Sequence, residues 1–160
     1  MEQFDLCVPC CSGVLNIRVG AIIKRDGRLL MAGSEGLDYL YTVGGRIKFG
    51  ETAEQAVVRE VLEETGVRLA VDRLGFIHEN FFYGEDPSKR GKTVHEISFF
   101  FYMEVPDDFA PVAERFTDGG RTGYLRWVAP DEDIRMYPAF FKTESLEPTD
   151  TVRHLVTDER

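Results

Sequence analysis

The order of apolar and polar positions divides the chain into strands set around one helix. "LNIRVGAIIKRDGRLLMAG", residues 15–33, predicts two strands joined at Asp26-Gly27, a dipeptide that favours tight hairpin turns. "YLYTV" predicts a short strand running into a flexible loop, "GGRIKFGE", with Gly44, Gly45 and Gly50. "TAEQAVVREVLEETG" predicts a helix of about four turns, opened by Thr52 and stopped by Gly66. Val58, Val61, Leu62 and Thr65 are assigned to its core side, with Ala53 and Ala56 sharing the acidic side.

Beyond the helix, "VRLAVDRLGFIHENFFY" is extended, and "GEDPSKRGKT" is a polar loop. "VHEISFFFYMEV", with Phe99, Phe100 and Phe101 in a row, predicts a central strand buried on both faces. "PDDFAPVAERFTDGGRTG" reads as a long irregular loop, "YLRWVAP" as a last firm strand, and a short helix is expected from about Pro130. Strands before and after one amphipathic helix, with a later helix on the other side, imply an α/β sandwich around a mixed sheet. No repeat or linker divides the chain, so 1–160 is expected to be one domain with residues 1–13 as an N-terminal extension.

Charge sharpens this picture at one place. In "REVLEETG", residues 59–66, Glu60, Glu63 and Glu64 fall within an arc of roughly 100° on the helix. Like charges at such spacing repel, by about 0.8 kcal/mol in water and about 3 kcal/mol at a partly covered surface. Either the face is simply solvated, or a cation sits against it.

Composition limits the candidates. A net charge of −9 argues against a partner with a phosphate backbone, and an anionic small molecule would need a local cation from a metal or a few placed basic residues. No apolar run is long enough to span a membrane, and "MEQFDLCVPCCSG" lacks the pattern of a secretory signal, so a cytoplasmic location is expected. Cys7, Cys10 and Cys11 lie in one window without a second pair of ligands near His78, His95 or His154. Free thiols on a strand edge or turn are expected rather than structural zinc.

Taken with its loop, "GRIKFGETAEQAVVREVLEETGV" (45–67) places Gly45, Glu51, Arg59, Glu60, Glu63, Glu64 and Gly66 at fixed spacings. This run resembles the Nudix box, G-x5-E-x7-R-E-U-x-E-E-x-G-U with U apolar, at every fixed position. Seven residue types at about 7% usage coincide on the order of once in 10⁸ placements. The resemblance implies a Nudix-type α/β/α sandwich and hydrolysis of a diphosphate bond in a nucleoside diphosphate linked to another moiety, with Mg²⁺ or Mn²⁺ as cofactor. It implies Glu60 and Glu64 as metal ligands, Glu63 as ligand or general base, the Gly44 carbonyl as a further ligand, and a Glu51–Arg59 pair orienting the loop on the helix.

Outside the box, Glu96, Glu114 and Asp118 are candidates for a distal carboxylate. Arg46, Lys48, His95 and Tyr83 are candidates for substrate contact. Val43 stands where many members have Pro, and "MAGSE" stands where triphosphate-cleaving members often have Arg. Phe82 stands where ADP-ribose hydrolases tend to have Pro, and Tyr83 lies near but not at the Tyr of dinucleoside-polyphosphate hydrolases. The cysteines, confined to 7–11, match an isoprenoid-diphosphate isomerase poorly. The rival readings are a catalytically silent nucleotide-sensing module and an adaptor whose acidic helix binds a basic partner. The resemblance also makes a homodimer a candidate state.

Overall fold

A computed structural model describes residues 3–85, 87, 89–118 and 120–160, with Asp118 described in its backbone alone. The chain starts with a hairpin in which β1 (Cys7–Cys10) turns through Cys11, at φ 48°, into β2 (Gly13–Ile22). β3 (Lys24–Arg25) meets β4 (Arg28–Ser34) across Asp26 and Gly27, whose φ values of 52° and 72° are the paired left-handed conformations of a tight hairpin. β5 (Leu40–Thr42) and β6 (Gly44–Arg46) lead to α1 (Ala53–Thr65). Then come β7 (Val71–Tyr83), β8 (Thr93–Met103), β9 (Arg115–Asp118), β10 (Arg121–Val128) and β11 (Met136–Tyr137). One 3-10 turn, Ala139–Lys142, precedes β12 (Arg153–Asp158).

Two sheets result. The first has the order β1-β2-β8-β7-β12 and is mixed, because β2 runs parallel to β8 and β12 parallel to β7 while β7 and β8 are antiparallel. β1 and β6 share one edge of β2, β1 along Gly13–Asn16 and β6 along Arg18–Gly20. The second sheet has the order β11-β5-β4-β10-β9. Residues ahead of β1 lie along the loop after β6: Leu6 N–H donates to the Ile47 carbonyl at 2.8 Å and Phe49 N–H to the Phe4 carbonyl at 2.8 Å.

Helix α1 forms where the sequence supplies both ends. Thr52 accepts from Gln55 N–H while the Gln55 side chain accepts from Thr52 N–H, a reciprocal capping box, and Gly66 closes the helix at φ 73°. The helix covers one face of the first sheet, where Ala56, Val57 and Val61 pack with Val19, Ala21, Phe101 and Met103. On the other face Ile22, Phe76, Phe100 and Tyr102 pack with Phe140 and Phe141 of the 3-10 turn. The second sheet flanks both layers, giving Leu30 and Ala32 to the first and Leu29 and Met31 to the second. The architecture is a mixed α/β sandwich.

Four local expectations change. The buried side of α1 is Ala56, Val57, Val61, Glu64 and Thr65, while Leu62 is 40% exposed and lines an open groove with Val58, Glu51 and Arg59. The acidic side is therefore pressed against the sheet rather than turned from it. Gly44–Arg46 is not loop but strand, because β1 ends short of Arg18–Gly20 and leaves that β2 edge to pair. Within the long segment after β8, Arg115–Asp118 forms a hairpin strand with β10. The short helix expected from Pro130 is instead the 3-10 turn at Ala139–Lys142, and β12 adds an edge strand that local pattern did not mark. The cysteines do form an edge strand and turn, with all three thiols free.

Candidate active site

Two glycines shape the ground between β2, β6 and α1. At Gly44, φ is 154° and a Cβ would stand 2.2 Å from the Val19 carbonyl oxygen. At Gly45 a Cβ would stand 2.4 Å from the Glu60 carboxyl carbon. Without side chains here, the helix comes close enough for Glu64 Oε1 to accept from Gly44 N–H at 3.3 Å. Glu60 and Glu64 thus lie one helical turn apart, both against the Gly44-Gly45 backbone, and Glu64 is only 8% exposed.

A cation already present in the chain meets these charges. Arg59 donates through Nε and Nη2 to both oxygens of Glu51, at 2.7 and 3.0 Å, and through Nη1 to Glu60 at 2.6 Å. Its Nη2 also donates to the Arg46 carbonyl at 3.0 Å, and Nη1 reaches Glu63 at a long 3.4 Å. Glu51 in turn accepts from Lys48 N–H at 3.0 Å, so one guanidinium fastens the loop to the helix. The consequences differ by site. Hydrogen bonding to Arg59 holds the Glu51 carboxyl below its usual range, and Glu51 in return raises the Arg59 guanidinium. Burial pushes the Glu60 carboxyl up, against the opposing pull of Arg59. Glu63, with its side chain 53% exposed, touches this clamp only at its edge, through the 3.4 Å contact with Arg59.

The remaining candidates are dispersed. Glu96 points to the sheet face opposite α1, accepting from Asn16 Nδ2 at 2.8 Å and from Ser98 Oγ at 3.4 Å. Arg46 lies on that face too, donating to Asn16 Oδ1 at 3.1 Å and reaching Asp5 at 3.4 Å. His95 stacks on Phe81 with centroids 4.2 Å apart and faces Glu79 at 3.5 Å. Glu79 also meets His154 at 2.8 Å, and hydrogen bonding to His154 holds its carboxyl low. Glu114 is exposed, with no side-chain hydrogen bond or ion pair among the described residues. Tyr83 is 58% exposed at the end of β7, and the Lys48 side chain is half-buried. The Asp118 side chain lies outside the described residues. Sequence reasoning missed Asn16, which is fully buried and bonded on both sides. A lone polar residue between Leu15 and Ile17 is a weak signal for it.

Among the described residues, no group of three or more His, Cys, Asp or Glu converges as ligands. Two adjacent carboxylates beside a glycine backbone nonetheless suit Mg²⁺. It prefers oxygen donors and is typically held by one or two carboxylates, completing its shell with water and substrate phosphates. The glycine cradle at Gly45, which any side chain would fill, leaves Glu60 open to such a contact.

Comparison with known proteins places the chain in a family. The NUDIX domain model matches residues 14–144. The chain is 26% identical to the CTP pyrophosphohydrolase of Escherichia coli over 145 residues, 82% of this chain and 96% of the other. It is 33% identical to the ADP-ribose pyrophosphatase of Methanocaldococcus jannaschii over 92 residues, 56% of this chain and 50% of that one. The MutT protein of Bacillus halodurans has the same fold, with a TM-score of 0.61 at 18% identity over 90% of this chain and 91% of that one. Matches to three further relatives span only 40%, 42% and 48% of those proteins' lengths. With the box complete, its helix seated on the paired glycines and the family model covering residues 14–144, this chain is a member of the Nudix hydrolase family.

Proposed function

We propose that the protein hydrolyses a diphosphate bond in a nucleoside diphosphate linked to another moiety, using Mg²⁺ or Mn²⁺. The observation that carries this reading is the seating of Glu60 and Glu64 against Gly44 and Gly45, where a Cβ would displace the Glu60 carboxylate. Glu60, Glu64 and the Gly44 carbonyl are the groups that would hold the ion. When bound, the ion neutralises the diphosphate and lowers the pKa of a coordinated water. Arg59 fixes Glu60 and, through Glu51, the loop that carries Lys48. Glu63, exposed on the outer rim, is the candidate general base. Relatives named for action on CTP and on ADP-ribose support the substrate class and leave its choice open.

The test is product release from a panel of nucleoside triphosphates, ADP-ribose, nucleotide sugars and dinucleoside polyphosphates, with Mg²⁺ or with chelator. Turnover that requires the metal and falls by about 10³-fold or more in Glu64→Gln is expected. A protein that binds a nucleotide but cleaves no member of the panel would instead be a sensor.

A further inference from the structure

The sheet face opposite α1 holds the converse of the acidic cluster. Strand register sets two rows across it: Cys7, Asn16, Glu96, Asn80 and Thr157 in one, Arg46, Arg18, Ser98, His78 and Leu155 in the next. Arg18 and Arg46 are therefore directly opposed on antiparallel strands, an arrangement that like charges disfavour. Arg46 is partly compensated by Asp5 at the rim. Arg18, half-buried, has no ion pair or side-chain hydrogen bond among the described residues, and the same holds for half-buried Lys89. Lys89 comes from the loop after β7, folded so closely on Gly84 that a Cβ there would stand 2.5 Å from it.

Lys89 feels the charges of Arg46, Arg18, Cys7 and Glu96, all of which this face carries, and burial with the two arginines pushes its ammonium down. Arg18 in turn acts on Glu60 through the sheet edge. Asn80, in the Glu96 row, has a buried Oδ1 with no hydrogen-bond partner among the described residues. In a chain of net charge −9, three cations set against two carboxylates, Glu96 and Asp5, are out of keeping with the overall field.

We infer that Arg18, Arg46 and Lys89 form an anion site for the substrate's phosphate chain, reached across β6 from the box carboxylates. The identity of the ligand rests on the hydrolase reading; the site itself rests on the directly opposed arginines, with half-buried Lys89 adding to their field. Gly45 faces Glu60 and Arg46 faces Arg18, so one three-residue strand separates an acidic wall from a basic one. A phosphate chain crossing that strand would meet the ion on one side and the cations on the other. Arg18 and Lys89 are thereby positioning residues for a polyanionic substrate.

The test is calorimetric titration of the full chain with inorganic tripolyphosphate in chelator, for wild type, Arg18→Gln, Lys89→Gln, the double variant and Arg18→Lys. Wild-type binding that weakens roughly tenfold in each Gln variant, further in the double, and is largely kept in Arg18→Lys is expected. Thermal melts identify any variant that is merely unfolded, and Lys89→Gln, on a loop, serves if Arg18→Gln is. No wild-type binding, or equal affinity in the double variant, would overturn the inference. Kinetics separate it from the hydrolase reading: KM should rise in the Gln variants with kcat much less altered. Normal cleavage with unchanged KM in the double variant leaves the hydrolase standing and removes the anion site. Tripolyphosphate binding that depends on Arg18 and Lys89, in a protein that cleaves nothing on the panel, keeps the anion site and removes the hydrolase.

Discussion

Glu51 and Glu60 share Arg59 beneath helix α1, while Glu79 shares His95 and His154 on strands β7, β8 and β12. Both clusters set carboxylates against nitrogen groups, at hydrogen-bond distance except for His95, which stands 3.5 Å from Glu79. They differ in cover. The Glu51 and Glu60 side chains are 10% and 15% exposed and answer to a guanidinium that is always charged. Glu79 is about one-third exposed and answers to imidazoles, whose charge depends on pH. Water reaches the second cluster more readily than the first.

Arg59→Ala should give the largest effect on stability. It strands Glu51 and Glu60 without their cation, and a loss of about 3 kcal/mol in urea unfolding is expected. A loss under about 1 kcal/mol would make this cluster no different from a surface pair.

Gly45→Ala probes the same cluster through shape. The new methyl would have to displace the Glu60 carboxylate, so kcat should fall about 100-fold. Unaltered kcat would mean that the position of Glu60 does not matter to the chemistry.

Glu60→Gln sharpens the comparison by pH. Because burial raises the Glu60 carboxyl, its contribution to stability is complete below its unfolded pKa and is lost as pH rises through the folded value. The neutral amide should therefore equal wild type in acid and match or exceed it at neutral pH, by at most about 1 kcal/mol. A variant less stable than wild type only at neutral pH would show that Arg59 outweighs burial.

His154→Gln should do least, leaving the melting temperature within a degree or two, since an exposed pair is replaced by water. A large fall would mean that Glu79 and His154 hold β12 to the sheet.

What could be read from the sequence divides along the same physical line. The ends of α1 were legible because Thr52, Gln55 and Gly66 act on backbone groups within a few residues. The Asp26-Gly27 turn was legible for the same reason, and β8 because an apolar row needs cover on both faces. The Glu51–Arg59 pair is what the resemblance to the Nudix box implies, whereas its extension to Glu60 and to the Arg46 carbonyl has no mark in the sequence. The buried side of α1 was misjudged because Val58 and Leu62 make a second apolar stripe, and only contact with Gly44 and Gly45 decides between the two. Arg18, Arg46 and Lys89 were not legible as a group. Their meeting depends on register between strands and on a loop more than forty positions from Arg46.

The pairing of residues 4–6 with the loop after β6 carries a practical consequence. Phe4 and Leu6 bond to Phe49 and Ile47, so the segment ahead of β1 braces the loop between Gly44 and Glu51. Deleting those residues, or pulling on them with a bulky fused tag, should loosen a loop that the helix glutamates lean on. Faster amide exchange at Phe49 would report the release directly. The carboxyl-terminal end, beyond β12, is the safer handle.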